Sequence, residues 1–196
     1  GGESLSSVYD YQYLAAKRAG VRFELGVKAG VDDVLATQPD AVVLATGSTM
    51  LWPRSLPSAW KLDGVIPDLR ALCGDLLGVT QPQGGRAVLF DMDHTEGTYS
   101  AAMLLHRLFD EVVLVTPRER FAVDVPLVSS LGIYRRLSNL GVKLVPLHEL
   151  APESALDEGR VSLRHFHTGA LQAVDDVAVV TFATPRKPTD VLAAPL

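Results

Sequence analysis

Continuous apolar runs alternate with segments of helical periodicity through the second half of the chain. Apolar runs of the kind found in strands buried on both faces occupy residues 87–90, 111–115 and 142–145. Between them, apolar residues recur at helical spacing over residues 98–109 and 126–139. This β-α-β-α-β order predicts a parallel sheet with right-handed crossover connections.

The end of the chain follows a different pattern. Residues 160–167 alternate between apolar and polar side chains, Gly169 interrupts them, and residues 176–182 are again apolar. This arrangement predicts an antiparallel β-meander that returns to a buried strand. The predicted fold class is therefore α/β, with a Rossmann-like three-layer domain that combines a parallel sheet with the meander.

The first 50 residues predict a smaller α/β lobe. Its helices and strands are predicted at residues 9–19 (helix), 21–25 (strand), 31–37 (helix) and 41–47 (strand). The last of these runs is continuously apolar and ends in small residues, which is typical of a strand buried on both faces.

A proline-bearing segment separates the two patterned regions. It contains four prolines and both tryptophans, and one helix is predicted within it over residues 67–77. The predicted division of the chain is residues 1–50 for the smaller lobe, 51–85 for the connection and 86–190 for the Rossmann-like domain.

Composition and charge exclude several functional classes. The formal net charge of −5 argues against nucleic acid or an anionic membrane surface as a partner, because both require clustered Lys and Arg. The single Cys73 cannot form an internal disulfide, and no apolar run approaches the length of a membrane span. We find no signal peptide at the start of the sequence, so we expect a cytoplasmic setting.

The turn after residues 87–90 carries acids where a dinucleotide-binding fold has glycines. On the G-x-G-x-x-G register, the three glycine positions are Asp91, Asp93 and Glu96, and only Gly97 remains, out of register. Glycines at this turn allow the backbone to approach a pyrophosphate at a helix N-terminus, whereas three carboxylates repel it. The sequence therefore predicts weak or vestigial dinucleotide binding.

Several ordered segments carry a family resemblance. Residues 40–48, 90–94 and 111–117 read DAVVLATGS, FDMDH and EVVLVTP. With the proline-bearing connection, they resemble the C-terminal half of the trimethylamine dehydrogenase and 2,4-dienoyl-CoA reductase family of NADH:flavin oxidoreductases. Members join an FMN-binding barrel, related to old yellow enzyme and carrying an iron–sulfur cluster, to FAD-type and NAD-type nucleotide-binding domains. The acidic turn resembles the dehydrogenase branch, in which the inner glycine loop is degenerate.

The resemblance implies that the chain is a nucleotide-binding-domain fragment of an amine dehydrogenase-type flavoprotein. Residues 1–50 correspond to a remnant of the outer FAD-type domain, and residues 86–190 correspond to the NAD-type domain. FMN and the iron–sulfur cluster are expected only in other parts of the parent enzyme, because one cysteine cannot hold a cluster that needs four thiolates. By itself the fragment is expected to be non-catalytic, with weak binding of ADP, FAD or NAD(P). Its expected partner is the FMN barrel domain, and homo-oligomers are left open.

Six residues are candidates for the remaining nucleotide binding: Ala45, Thr46, Gly47, Gly97, Thr116 and Arg118. The resemblance places Ala45–Gly47 near an adenine dinucleotide, and a small-residue turn that serves packing is the alternative. Arg118 and Arg120 follow the second strand of the domain, where a dinucleotide fold contacts the ribose and an arginine holds a 2′-phosphate. Solvated surface arginines are the alternative for this pair.

No catalytic residue and no metal ligand is assigned. His165 and His167 share one face of a predicted strand, but no third ligand lies near them in the sequence. Exposed strand histidines are therefore the favoured interpretation.

The acidic turn also resembles the opening of a haloacid dehalogenase phosphatase. In that alternative, Asp91 is the nucleophile and Asp93 the general acid of a magnesium-dependent phosphoryl transfer, and Thr116 supplies a phosphate-binding hydroxyl. Two features argue against it. His94 replaces the usual glycine, and the late acidic pair at residues 175–176 precedes its strand and so lies at the wrong end of a parallel sheet.

Overall fold

The computed structural model describes residues 3–194 of the chain. These residues form two compact units, a smaller one from residues 3–46 and 190–194 and a larger one from residues 47–189. In chain order the elements are α1 (Glu3–Arg18), α2 (Val31–Ala36), β1 (Ser48–Met50), α3 (Ser58–Leu62), α4 (Leu69–Leu76), β2 (Arg86–Asp91), α5 (Glu96–Leu108), β3 (Glu111–Val115), α6 (Leu127–Asn139), β4 (Lys143–Val145), β5 (His148–Leu150), a short 3-10 helix (Leu156–Glu158), β6 (Val161–His165), β7 (Leu171–Val174), β8 (Val177–Ala183) and β9 (Arg186–Pro188).

A four-stranded sheet with the order β4-β3-β2-β8 forms the centre of the larger unit, and all of its neighbouring strands are parallel. Strand β2 lies inside this sheet, where its residues 87–90 are completely buried. Ala87 and Leu89 pack into one apolar cluster, and Val88 and Phe90 pack into another on the opposite face. This two-sided burial explains why the strand is apolar at every position.

Two further layers cover the faces of the parallel sheet. Helices α4, α5 and α6 supply side chains to the cluster that contains Leu89, while the antiparallel sheet β5-β6-β7 supplies side chains to the cluster that contains Phe90. Strand β8 follows this meander and pairs with β2. The predicted three-layer α/β class, with its parallel sheet and meander, is therefore confirmed.

Helix α5 shows why the sequence forms these elements. Its buried positions Thr98, Tyr99, Ala102 and Leu105 recur every three or four residues, so they form one stripe facing the sheet. Glu96 lies in its first turn, and His106 and Arg107 lie in its last turn, where their charges suit the helix dipole.

Residues 51–85 belong to the larger unit, and the helix predicted within them is α4. Asp68 caps its N-terminus by accepting hydrogen bonds from the backbone N–H groups of Arg70 and Ala71. Leu69 and Leu72 of this helix are buried in the same cluster as Leu89.

Two predicted strands are wrong. Residues 21–25 and 41–47 lie outside every helix and strand, and the only described strand near them is β1, which pairs antiparallel with β9. The physical reason is that a strand exists only with a hydrogen-bonded neighbour, and none of the strands within residues 3–194 pairs with either segment. The described part of the smaller unit is therefore helical, with α1 and α2 as its elements.

Within residues 3–194, no helix is both long and apolar enough to cross a bilayer.

The turn that enters β2 requires a glycine at position 85. Gly85 has φ +66°, and a Cβ atom there would lie 3.0 Å from the backbone oxygen of Asp176 and 3.1 Å from the Cβ atom of Ala178. The same turn is closed by hydrogen bonds from Arg86 N–H to the Asp176 carbonyl oxygen and from Asp110 N–H to the Gly85 carbonyl oxygen. A side chain at this position would therefore meet backbone that cannot easily move.

We expect Gly85→Ala to lower the free energy of unfolding by about 2–4 kcal/mol, from left-handed strain plus overpacking. Gly84→Ala is the matched control, because Gly84 also has a positive φ but its Cβ would have only an ordinary contact with Asp110 Oδ2 at 3.8 Å. Gly84→Ala should lower the free energy of unfolding only by the cost of the left-handed strain, about 1–2 kcal/mol. Urea unfolding measures both, and equal losses in the two variants would contradict this explanation.

Candidate functional site

The acidic turn lies at the carboxyl edge of the parallel sheet, where ligand sites of such folds gather. Asp91 ends β2, His94 lies in the turn that leads to α5, and Thr116 follows β3. All three side chains are completely buried. The structure therefore brings these three residues together in the interior of the protein.

The carboxylate of Asp91 accepts the backbone hydrogen bonds of its own turn. Its Oδ1 atom accepts from the N–H groups of Asp93 at 3.1 Å and His94 at 2.9 Å. Its Oδ2 atom accepts from the hydroxyl of Tyr99 at 2.8 Å. In a dinucleotide-binding fold, turn N–H groups at this position bind the phosphates of the ligand. In this turn, a carboxylate of the protein itself accepts two N–H groups.

Tyr99 connects the acidic turn to the loop after β3. Its Oη atom donates to Asp91 and accepts from the backbone N–H of Ala122 at 2.6 Å. Burial, reinforced by the nearby Asp91 carboxylate, raises the pKa of the Tyr99 phenol above its ordinary value. The phenol therefore stays protonated and keeps its hydrogen-bond donor.

His94 lies between Asp91 and Thr116. Its Nε2 atom is 3.0 Å from Thr116 Oγ1, and its Nδ1 atom is 3.7 Å from Asp91 Oδ2, without a hydrogen-bond partner among the described residues. Thr116 Oγ1 also accepts from the N–H of Arg118 at 3.3 Å. Which of Thr116 Oγ1 and His94 Nε2 donates to the other depends on the tautomer of the imidazole.

Burial moves both ionisable groups of this pair toward their neutral forms. It lowers the pKa of His94, against the attraction of the Asp91 carboxylate, and raises the pKa of Asp91, against the attraction of His94. His94 is also strained, with φ +54° in the left-handed region that favours glycine. A neutral imidazole held in a strained turn is thus part of the site's structure.

The other two acids at glycine positions also have partners inside the protein. Asp93 Oδ2 accepts from the hydroxyl groups of Thr95 and Thr98 and lies 3.9 Å from Arg186 Nη2. Glu96, at the first position of α5, lies 3.3 Å from Arg136 Nη2. Asp93 and Glu96 therefore each lie near an arginine of the same chain.

Arg118 is placed beside this network and lines a cleft. Its guanidinium lies 3.1 Å from Asp124, and its backbone N–H binds Thr116. The cleft, of about 420 Å³, is also lined by Arg120, Phe166 and His167. The sequence predicts that Arg118 follows the second strand of the domain. The structure places it there, after β3 and at the carboxyl edge of the sheet.

The other four candidate nucleotide-binding residues lie in other parts of the chain. Gly97 lies in the first turn of α5, where it is exposed and a Cβ atom would contact only Thr95 Oγ1, at 3.9 Å. Ala45 and Thr46 belong to the smaller unit, and Gly47 begins the larger one with φ +78°. The carbonyl oxygen of Gly47 accepts from Thr189 N–H at 3.0 Å. The nucleotide-binding roles of these residues remain predictions.

No local pattern points to Tyr99, which lies eight positions after Asp91 and contacts it because α5 packs over the end of β2. The sequence marks His94 only as a replacement for the usual glycine and does not predict its burial. The scattered histidines form no metal centre in the described part of the chain, where no group of three or more potential ligands is suitably arranged.

The geometry of Asp91 also bears on the phosphatase alternative. A nucleophilic carboxylate must present a free oxygen to its substrate. Both oxygens of Asp91 accept hydrogen bonds within the protein, and the side chain is completely buried. This arrangement does not favour attack on a phosphate ester.

No protein-family model matches the sequence, and no curated protein matches it. Solved structures share its fold at a TM-score of 0.74: histamine dehydrogenase from Rhizobium sp. 4-9 at 20% identity, the 6-hydroxypseudooxynicotine amine oxidase HisD from Pseudomonas geniculata N1 at 18%, and a 2-naphthoyl-CoA reductase at 20%. They cover 99%, 90% and 94% of this chain, which corresponds to 30%, 26% and 26% of their own chains. The chain therefore spans less than a third of the length of each.

We expect Tyr99→Phe to lower the free energy of unfolding by about 2–4 kcal/mol, because it leaves Asp91 Oδ2 and the Ala122 N–H buried without this partner. Tyr134→Phe is the matched control. Its half-buried hydroxyl binds the backbone of Phe121, with N–H to Oη at 2.9 Å, and its loss should cost about 1 kcal/mol. Urea unfolding measures both variants. If Tyr99→Phe loses no more stability than Tyr134→Phe, the Tyr99 hydroxyl does not have this structural role.

The buried His94 should also give the stability a pH dependence. Because its folded pKa is lowered, the unfolded chain binds the proton more readily below the ordinary pKa of about 6.5. The contribution of neutral His94 to the free energy of unfolding is complete above that pH. It is lost as the pH falls toward the lowered pKa of the folded state, with a slope of at most about 1.4 kcal/mol per pH unit. Asp91 acts in the opposite sense, because its raised pKa means that protonation favours the folded state.

Urea unfolding between pH 7.5 and 5.5 should therefore show a smaller loss of stability on acidification in His94→Asn than in the wild type. Asparagine suits this position because it tolerates a positive φ. The same slope in both proteins would show that His94 does not carry this pH dependence.

Proposed function

We propose that the larger unit is the NAD-type domain of a flavin-dependent oxidoreductase of the trimethylamine dehydrogenase kind, with its pyrophosphate site replaced by an internal carboxylate. The smaller unit would be the remnant of the outer FAD-type domain of the same enzyme. The shared fold with histamine dehydrogenase, an amine oxidase and 2-naphthoyl-CoA reductase supports this placement. In this proposal the parent enzyme is cytoplasmic.

One observation carries the proposal: the Asp91 carboxylate accepts the turn N–H groups that would otherwise bind a phosphate. A pyrophosphate at this place would have to displace a buried side chain and would then face the charges of Asp93 and Glu96. Coulomb repulsion from each nearby charge is worth about 1 kcal/mol in water and more near a protein surface. The turn and a dinucleotide phosphate therefore do not fit together.

The remaining nucleotide binding would be weak and would depend on Arg118 and its cleft. A cleft of about 420 Å³ has the size of a small-ligand pocket, and Phe166 offers an aromatic side chain in its lining. The guanidinium of Arg118 is already paired with the Asp124 carboxylate, which weakens its electrostatic attraction for a phosphate. We therefore assign ADP, FAD or NAD(P) at most a weak association with this fragment.

The role we propose for the chain is structural. The oxidation or reduction of an amine or a thioester substrate would take place at the FMN and iron–sulfur cluster of other domains, with the FMN barrel as the principal partner. A nucleotide domain whose phosphate site is internally filled retains its rigid sheet and its surfaces. These are the properties needed to hold neighbouring domains in position.

Titration of the chain with NADH, NADPH, ADP and FAD tests the proposal. We expect no saturation below about 1 mM for any of them, which corresponds to binding weaker than about −4 kcal/mol. Isothermal calorimetry or fluorescence measures the binding. Submicromolar affinity for NADH or NADPH would overturn the proposal, because the acidic turn should forbid it.

A charge-neutral variant shows whether the acidic turn is the cause. Asp93→Asn with Glu96→Gln removes two charges and should strengthen ADP binding about tenfold, equal to about 1.4 kcal/mol. Asp157→Asn with Glu158→Gln removes the same charge at the 3-10 helix and should change nothing. Equal effects of the two pairs would point to net charge rather than to the turn.

The phosphatase alternative has its own readout in the same preparations. Magnesium-dependent hydrolysis of a small phosphate ester that disappears in Asp91→Asn would replace the proposal with that alternative. We expect no such activity in either protein, because the Asp91 oxygens are buried and bound.

A further inference from the structure

The imidazole of His94 lies between two partners and is bonded to only one of them. Its Nε2 atom is 3.0 Å from Thr116 Oγ1, within hydrogen-bond distance. Its Nδ1 atom is 3.7 Å from Asp91 Oδ2, which is too long for a hydrogen bond, and is buried without a partner among residues 3–194. Unpartnered buried polar atoms are uncommon in folded proteins, so this nitrogen calls for an explanation.

Both partners of His94 are held in place by backbone hydrogen bonds. The N–H of Thr116 donates to the Val145 carbonyl oxygen at 3.1 Å, and the Thr116 carbonyl oxygen accepts from the N–H of His148 at 2.9 Å. Asp91 ends β2, and its Oδ1 atom accepts two N–H groups of the turn that follows. The imidazole is therefore the part of this cluster that can move.

The spacing lets His94 bond fully to one partner at a time. A hydrogen bond from Nδ1 to Asp91 needs a distance of about 3.2 Å or less, so the ring must move about half an ångström or more toward Asp91. Because Nδ1 and Nε2 lie on different sides of the ring, this movement takes Nε2 away from Thr116. In a close-packed interior, such a choice gives two discrete positions rather than a continuous range.

The charge of the ring decides between the two positions. A neutral imidazole donates from one nitrogen, whereas an imidazolium donates from both. In either starting tautomer, protonation therefore leaves an N–H group on Nδ1 that needs an acceptor, together with a positive charge that is attracted to the Asp91 carboxylate. The neutral ring has no such attraction and stays with Thr116.

Other charged and titratable groups also face the ring. They are Asp91 and Asp93 in the turn, Tyr99 on α5, and Arg118 and Asp124 in the loop after β3. Burial is the largest influence and lowers the pKa of His94, while the three carboxylates raise it and the guanidinium lowers it. Once the ring is charged, the nearby carboxylates therefore favour its position beside the turn.

The same cluster holds both ends of the loop that follows β3. At its start, Thr116 Oγ1 accepts the N–H of Arg118 at 3.3 Å. At its end, the N–H of Ala122 donates to Tyr99 Oη at 2.6 Å. Ala122 has φ +55°, a left-handed conformation that persists only when its surroundings hold it. A moved His94 would leave the first contact and share the acceptor oxygen of the Tyr99 hydroxyl.

We propose that His94 is a proton-operated switch for the loop of residues 117–122: the neutral ring bonds to Thr116 and holds the loop, and the protonated ring bonds to Asp91 and loosens it. Because burial lowers the pKa of His94, the change occurs below the ordinary value of about 6.5.

The loop brings this switch to the surface of the protein. It carries Arg118 and Arg120, which line the cleft of about 420 Å³. Acidification should therefore make the two arginines of the cleft less fixed. The inference does not rest on the proposed function, because it involves only groups of this chain and a proton.

Solution NMR of the whole chain tests the switch. The side-chain nitrogen shifts of His94 report its protonation, and the amide shifts of residues 116–122 report the loop. As the pH falls, both should change with the same midpoint. The hydrogen-exchange protection of the loop amides, corrected for the intrinsic pH dependence of exchange, should fall about tenfold relative to the amides of β2.

Thr116→Val removes the hydroxyl that His94 contacts and keeps the shape of the side chain. The loop should then lose about tenfold in protection already at neutral pH, and its amide shifts should no longer follow the pH. Thr181→Val on β8 is the matched control. The Thr181 hydroxyl is equally buried and donates to the Pro67 carbonyl oxygen at 2.9 Å, so its loss should leave the loop unchanged.

His94→Asn provides a second variant, because asparagine tolerates a positive φ and takes up no proton in this pH range. The pH response of the loop should disappear in it.

Three results would overturn the inference. One is a loop whose shifts and protection stay constant while the His94 nitrogens titrate, because the ring would then change its charge without moving the loop. Another is an undiminished pH response in His94→Asn, which would assign the response to a different group. The third is unfolding of the chain before His94 takes up its proton, because the folded protein would then have no protonated state. The nucleotide titrations are separate measurements, so the proposed function stands or fails independently.

Discussion

The buried carboxylate of Asp91 needs hydrogen-bond donors, and this need organises the carboxyl edge of the sheet. An ionised or partly ionised carboxyl group without water is tolerated only when its oxygens are satisfied. The turn supplies two N–H groups and α5 supplies the Tyr99 hydroxyl. Tyr99 then binds the loop after β3 through Ala122, so one carboxyl group fixes the end of β2, the start of α5 and the next loop relative to one another.

This constraint shows how the first turn of a Rossmann-like fold is stabilised from within the chain. In a ligand-binding domain, the turn N–H groups and the helix N-terminus are satisfied by the ligand. Here the Asp91 carboxylate accepts the N–H groups of Asp93 and His94, so these two donors are satisfied within the chain. The sheet, its crossover helices and its meander need nothing from the nucleotide, because their stability comes from the two apolar clusters on either side of β2.

The elements that the sequence predicted well are those whose partners lie within the chain. The runs that became β2, β3 and β8 are buried by neighbours that the same residues provide, so the apolar pattern and the folded state agree. The run at 41–47 has the same apolar pattern but no described neighbour, which is why a local rule predicted a strand there and the structure has none. For the site, the acids at the glycine positions were evident, but the contact of Tyr99 with Asp91 joins two elements and has no local pattern.

The pairing of β1 with β9 has a consequence for how the chain is assembled. The larger unit begins at Gly47 and ends at Thr189, and the backbone N–H of Thr189 binds the carbonyl oxygen of Gly47 at 3.0 Å. The larger unit thus begins and ends at almost the same point and is closed there by a two-stranded ribbon. Such a unit can be excised and its flanks joined by a very short linker, or exchanged for another domain, without rerouting the chain on either side.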